Sequence, residues 1–286
     1  MSRPQDVRDT VSKTYTRAVE QNPAANRSCC SGPAAQAVLT TLAGYSREAL
    51  AGLPADAVVN SFGCGNPVAL AAIREGDTVL DLGSGAGIDL LLAARLAGTK
   101  GRVIGVDMTS AMIERARANA AAAGFTNVEV LEGIIEDLPV DSESVDLVIS
   151  NCVINLSPEK HRVFAEIYRV LRTDGRFSIS DIVAAPMPES ILKLDLLRSA
   201  CISGAIPEDE YLDGLCKAGL VDVKVSDRLT YDSSQLAGLL DSETGGGCCC
   251  GSESLTKDQL GCVIEALAGK VASIRVVGRK PKEVIP

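Results

Sequence analysis

Residues 79–89 read Val-Leu-Asp-Leu-Gly-Ser-Gly-Ala-Gly-Ile-Asp, a carboxylate followed by glycines at every second position. Glycine lets the backbone turn with no Cβ in the way and lets a ligand lie against it. A G-x-G-x-x-G spacing would present helix N-terminal amides to a pyrophosphate. Here the spacing is G-x-G-x-G, with Ile88 next, and Asp81 stands before Gly83, placed to hold a positively charged group. A cationic cofactor without phosphates suits this turn, and S-adenosylmethionine (SAM) is one. Ser84, Gly85 and Gly87 complete the turn. Asp107 ends the next apolar run, about 20 residues on, where a carboxylate can accept hydrogen bonds from both ribose hydroxyls. The alternative for Asp107 is a helix cap.

The chain also carries ten cysteines, at 29, 30, 64, 152, 201, 216, 248, 249, 250 and 262. No C-x-x-C pair occurs, so this is not a zinc ribbon. In a reducing compartment cysteines are catalytic, redox or metal-binding groups more often than a disulfide framework. The alternative is burial as a small hydrophobe, and Cys216 and Cys262, in helical apolar patterns, are expected in the core. Cys64 sits in the tight turn Ser61-Phe-Gly-Cys-Gly-Asn-Pro67, Cys152 directly follows an apolar run, and Cys201 ends an apolar helical pattern. Three thiols so placed could converge on one soft, thiophilic centre, since soft thiolates select soft acceptors. A methyl donor beside such a centre suggests methylation of the bound atom.

The elements that must position these groups alternate regularly. Strands are predicted at 78–82, 102–107, 127–131, 145–150 and 175–183, with helices at 86–97, 109–123 and 158–171 between them. Alternating βα units of this length give an α/β fold, a doubly wound, mainly parallel sheet of Rossmann-like type. A short helix from Val68 to Arg74 leads into the first strand. Pro186 and Pro188 mark a boundary between a SAM-binding domain, 1–185, and a smaller appended substrate-binding region, 186–286. The second part holds helices at 189–203 and 207–218 and strands at 221–229 and 271–278, the last closing the sheet. Residues 241–254 read as a Gly/Ser loop carrying Cys248, Cys249 and Cys250. Residues 1–27 have an amphipathic helical pattern expected to pack near the cofactor mouth.

Placed on this frame, Met108 would pack on the adenine face and Ile135 would form the opposite wall. The backbone of Ile135, or the neighbouring Glu136, could meet the adenine amino group. Asn151 falls just past the fourth strand, at the sheet edge where ligands of open α/β folds bind. His161 sits in a first helical turn between Lys160 and Arg162 and is read as a solvated surface residue with no role.

Composition removes several function classes. A net charge of −9 and the lack of any Lys/Arg-rich block argue against nucleic acid as a partner. No apolar run of 18 residues and no charged-then-apolar leader occurs, so the expectation is a cytoplasmic, monomeric protein with no membrane partner.

Residues 42–231 resemble the arsenite methyltransferase family of class I SAM-dependent methyltransferases. The shared segments are Gly44-Tyr-Ser, Ser61-Phe-Gly-Cys-Gly-Asn-Pro67, Val106-Asp-Met-Thr109, Ile149-Ser-Asn-Cys-Val-Ile-Asn-Leu156 and Cys201-Ile-Ser-Gly-Ala205. The resemblance implies that Cys64, Cys152 and Cys201 bind trivalent arsenic, As(III), and take part in its redox cycle. It implies in-line attack of the arsenic lone pair on the sulfonium methyl, mono- and dimethylated products, and arsenic detoxification. A thiol reductant, glutathione or thioredoxin, would be co-substrate, and the arsenical would arrive as a thiol conjugate. Family members often carry a further N-terminal cysteine; Cys29 or Cys30 lies about there, and either could pair with Cys64. The family's Tyr-Tyr-Gly is here Thr14-Tyr15-Thr16, leaving Tyr15 for the methionine end of the cofactor. Two alternatives share the cofactor motifs: a C-methyltransferase acting on a lipid or quinone, and a metalloid-binding protein without turnover. A NAD-linked dehydrogenase is disfavoured by the glycine spacing.

Overall fold

The computed structural model describes residues 3–21, 44–61, 63, 65–188, 191, 194, 197, 201–243 and 257–282. Strands β1 (Thr78–Leu82), β2 (Arg102–Asp107), β3 (Val128–Glu132), β4 (Val145–Asn151), β5 (Leu171–Ala184), β6 (Val221–Thr230) and β7 (Val271–Arg279) form one sheet. Their order is β3-β2-β1-β4-β5-β7-β6. The first five are parallel, and β7 runs antiparallel to both β5 and β6. The chain winds outward in one direction from β1 and in the other from β4. The crevice at the carboxyl ends of these two strands is therefore the topological switch point, where open α/β sheets bind ligands.

Burial on both faces explains the near-continuous apolar strands. Val79, Leu147 and Ile149 pack on one face with Leu90, Ala93 and Ile113. Their neighbours Leu80, Leu82 and Val148 pack on the other with Phe164, Ile167 and Tyr211. Successive strand residues point to opposite faces, so one sheet serves both cores. Crossover helix α4 (Ile88–Ala97) is buried over almost its whole length, which its apolar composition on all sides allows. Helices α5 (Ser110–Ala122) and α6 (Lys160–Val170) present single apolar faces. A third cluster gathers Cys152, Ile182, Leu197, Cys201, Ile202, Tyr231, Leu236 and Leu267. It packs the segment after β5 against the ends of β4 and β5.

Two sequence expectations are corrected. The stretch expected as a helix from Val68 to Arg74 is a single 3-10 turn, Pro67–Leu70, capped by the Asn66 side chain and followed by Ala72 at φ +46°. Helix α8 (Ser233–Glu243) runs into the expected Gly/Ser loop, and α9 (Lys257–Leu267) follows it. The final strand lies inside the sheet, between β5 and β6. β7 is buried along most of its length, whereas β6 alternates with exposed positions and lies at the edge. A half-apolar strand can face water, and a strand apolar on both sides cannot.

No helix among the described residues is long and apolar enough to cross a membrane.

Candidate active site

The glycine turn joins β1 to α4 at the switch point. Its amides at Gly83 and Ser84 both donate to Val106 O, at 2.8 and 3.1 Å, which hangs the loop on β2. Gly83 is doubly constrained: its φ is +63°, and a Cβ there would meet Val153 Cγ2 at 2.4 Å. Asp107 joins this loop to α5, because its Oδ2 accepts from Gly85 N at 2.9 Å and its Oδ1 from Thr109 N at 2.8 Å. It is not the solvated helix cap left as the alternative to ribose binding: Thr109 is the N-cap residue of α5, and Asp107 lies on the cavity wall. Burial raises its pKa, and those backbone bonds oppose the shift.

A cavity of about 960 Å³, its open mouth included, lies over the turn. Tyr15, Asp81, Gly83, Ser84, Gly85, Gly87, Asp107, Met108, Ile135, Glu136 and Asn151 all border it, as does Cys152. Asp81 is 2% exposed, and its Oδ2 has no hydrogen-bond partner among the described residues. Burial, then the charges of Asp89 and Asp107, hold its carboxyl well above the usual carboxylate range. Buried polar atoms are normally paired. An open acceptor on a cavity wall, inside a group of three carboxylates, fits a cofactor that brings a cationic end.

Helix α1 (Pro4–Gln21) forms one wall. Arg8, Val11 and Tyr15 lie on one helical face and border the cavity. Tyr15 packs against Ala86 and Met112 at the glycine turn. Arg8 Nη2 reaches Glu159 Oε2 at 2.6 Å and Glu136 Oε1 at 3.2 Å, and Ser157 Oγ donates to the same Glu136 oxygen at 2.6 Å. Glu136, named from the sequence for adenine, therefore also latches α1 down. Arg8 and Ser157 were not legible beforehand: Arg8 meets Glu136 across 128 positions, and nothing local marks either residue.

Both described candidate thiols stand at unusual backbone positions. Cys152, just past β4, and Cys201 each adopt φ +57°, a conformation that costs non-glycine residues and gathers at functional sites. Cys201 Sγ donates to Cys152 O at 3.0 Å, and both residues are buried. Cys152 is disulfide-bonded, while Cys201, Cys216 and Cys262 are not in disulfides. Its partner is therefore not among the described residues. Cys29, Cys30, Cys64, Cys248, Cys249 and Cys250 lie outside the described residues. The neighbours of Cys64 are described: Gly65 pairs with the Asn151 side chain, accepting at its carbonyl (2.7 Å) and donating from its amide (3.2 Å). Among the described residues no group of three His, Cys, Asp or Glu side chains is arranged to hold a metal ion. Cys216 and Cys262 are exposed, which corrects the expectation of core packing: each sits on the solvent face of an amphipathic helix.

Behind the Cys201 segment lies a buried polar cluster that the sequence did not signal. Asp181 Oδ1 accepts from Asn155 Nδ2 at 2.8 Å and from Ile182 N at 2.9 Å, and Oδ2 accepts from Tyr211 OH at 3.1 Å. Burial pushes its carboxyl to about 7, against those bonds and the attraction of Lys160. Lys160 Nζ donates to the Asn155 and Ser157 carbonyls at 3.3 and 3.2 Å. His161 is exposed on α6, away from the cavity lining.

Comparison with known proteins matches residues 73–235 to a family model described as a methyltransferase domain. An arsenite methyltransferase of Halobacterium salinarum is 47% identical over 199 residues, covering 69% of this chain and 50% of the relative. The mouse arsenite methyltransferase is 37% identical over 211 residues, covering 68% of this chain and 55% of the relative. The chain thus spans about half the length of these curated relatives. Among solved structures, an arsenic(III) S-adenosylmethionine methyltransferase of Chlamydomonas reinhardtii superposes with a TM-score of 0.59 at 32% identity, covering 88% of this chain and 75% of that one.

Proposed function

Because the chain belongs to the arsenite methyltransferase family of class I methyltransferases, we propose that it transfers the methyl group of SAM to As(III) held by cysteine thiolates. The products are mono- and dimethylated arsenicals, and the role is detoxification in the cytoplasm, by a monomer. One observation carries this reading most: Cys152 lies on the wall of the cofactor cavity, and the Cys201 thiol meets its carbonyl at 3.0 Å. A quinone or lipid methyltransferase would have no use for a cysteine on that wall backed by a second, buried cysteine.

Asp81 would hold the cationic methionine end, with Tyr15 beside it, and the Gly83–Gly87 turn would lie along the backbone of the nucleoside. Asp107 would accept from the ribose, Met108 and Ile135 would flank the adenine, and Glu136 would meet its amino group. SAM supplies an electrophilic methyl, which the lone pair of thiolate-bound arsenic can accept. The protein's part is positioning, which lowers the barrier by removing the entropy of encounter. No general base is required, since arsenic loses no proton.

Methyl transfer leaves arsenic formally two electrons more oxidised. Two thiolates closing to a disulfide return those two electrons. An external thiol, glutathione or thioredoxin, then reopens the disulfide by exchange. Cys64 with Cys29 or Cys30 is the proposed pair, and the disulfide state of Cys152 supports redox activity at this wall. Binding As(III) at Cys152 requires its thiolate, so the reductant must act before the acceptor docks. Residues 186–286 supply Cys201 and form the acceptor side.

The test is incubation with SAM, arsenite and glutathione, followed by chromatography of the arsenic species with elemental detection. Methyl- and dimethylarsenicals are expected, and replacing Cys152 or Cys201 by serine should abolish them. Intact SAM binding with no methylated arsenic would overturn the reading.

A further inference from the structure

Asn151 borders the cofactor cavity, yet both polar atoms of its side chain are committed to the protein. Oδ1 accepts from Gly65 N at 3.2 Å, and Nδ2 donates to Gly65 O at 2.7 Å. This two-way pairing acts as one rung of a β ladder between the end of β4 and the turn before the 3-10 segment. Nδ2 also faces Asp89 Oδ2 at 2.9 Å and Tyr45 OH at 3.0 Å. The circuit closes where Tyr45 OH donates to Asp89 Oδ1 at 2.7 Å. Tyr45 is 6% and Asp89 4% exposed.

Gly63 lies flat on the same amide: a Cβ there would stand 2.2 Å from Asn151 Nδ2. Residues 63 and 65 are therefore both held against the side chain of residue 151. By sequence the residue chained between them is Cys64, and the residue after Asn151 is Cys152. The Asn151 side chain thus fixes Gly63 and Gly65 relative to the end of β4. Asp89 belongs to the first turn of α4, directly after the glycine turn. A buried carboxylate is a costly way to stabilise a fold, whereas a closed polar circuit fixes one geometry.

We propose that Tyr45, Asp89 and Asn151 are positioning residues that set the placement of Gly63 and Gly65 against the end of β4 and reference that turn to the glycine turn. This rests on the reading above that Cys64 and Cys152 hold As(III). The three residues touch neither arsenic nor cofactor in this role; they act through the turn.

Tyr45→Phe tests it, because it keeps the ring and removes only the hydroxyl. The reduced protein, wild type and variant, is titrated with arsenite by equilibrium dialysis and elemental detection. S-adenosylhomocysteine affinity is measured by calorimetry and the melting temperature recorded. The expected result is an arsenite affinity lowered about tenfold, with S-adenosylhomocysteine affinity within twofold of wild type. Asn151→Ala, which removes the rung itself, should weaken arsenite binding further. Unchanged arsenite affinity in a folded Tyr45→Phe variant would overturn the proposal, and so would an equal loss of cofactor affinity. If wild type bound no arsenite, the arsenic reading itself would fall, an outcome distinct from both.

Discussion

Replacing Gly204 by alanine separates the placement of Cys201 from everything else at the site. The φ of Gly204 is outside the left-handed region, so alanine suffers no backbone strain there. A Cβ at 204 would, however, stand 2.0 Å from Asn155 O, and real contacts essentially never fall under 3.0 Å. The separation must open by about 1 Å, the difference of those two distances. Asn155 yields with difficulty, because its buried amide donates to Asp181 Oδ1 at 2.8 Å and Ile182 O at 2.6 Å. The displacement therefore passes to the 201–206 segment, which is pinned downstream by the bond from Ala184 N to Ile206 O. Overpacking of this kind costs about 1–3 kcal/mol of stability. A shift near 1 Å at a reacting group costs on the order of 100-fold in rate. The assays are urea denaturation, initial rates of methylated arsenic formation at saturating SAM, and S-adenosylhomocysteine calorimetry. The expected outcome is a lower midpoint with an unchanged slope, a rate down by about 100-fold, and cofactor affinity within twofold. A folded Gly204→Ala protein turning over at the wild-type rate would refute the claim that this contact places Cys201.

Other perturbations separate the remaining parts. Asp81→Asn keeps the shape but removes the carboxyl that can ionise against the cofactor's cation; SAM affinity should fall roughly 10- to 100-fold by calorimetry, while thermal stability holds or rises. Loss of stability with unchanged affinity would contradict the assigned role. Arg8→Ala releases α1 and leaves Glu136 buried without its cation, so SAM affinity should fall on the order of tenfold, with a smaller effect from Glu159→Gln, which touches only the outer arm of the latch. Asp181 carries a pH dependence with a definite sign. Its folded pKa, about 7, lies above the unfolded value, so the folded state holds this proton where the unfolded chain has lost it. That contribution is fully present below about pH 4 and is lost as pH rises through 7. Stability of wild type relative to Asp181→Asn, from denaturation at pH 5 and pH 8, should therefore decline at the higher pH; parallel profiles would sink the assignment.

The sequence was most informative where a motif is its own local cause. The glycine turn, Asp81 and Asp107 are read from spacing because the turn needs glycines and the strand ends must carry polar groups at the cleft. Strand limits at 78–82 and 102–107 agree with β1 and β2 for the same reason: β-branched runs buried on two faces have no alternative conformation. What stayed hidden depends on distant partners. The Arg8 latch, the Asp181 cluster and the Tyr45–Asp89–Asn151 circuit each join residues from separate elements, and none has a local pattern. The place of β7 inside the sheet likewise follows from its burial against β5 and β6, which hydropathy along one strand does not order. Cys216 and Cys262 show the opposite limit. An apolar stripe marks a helix face, yet a small residue beside the stripe can turn to solvent.

The central claim is that this chain moves a methyl group from SAM onto thiolate-bound arsenic. Single-turnover reaction of the reduced protein with methyl-labelled SAM and arsenite tests it most directly. The account predicts label recovered on arsenic in equal amount to the S-adenosylhomocysteine formed, and none with Cys152→Ser. S-adenosylhomocysteine formed without labelled arsenic, or no turnover in a protein that binds both ligands, would contradict it.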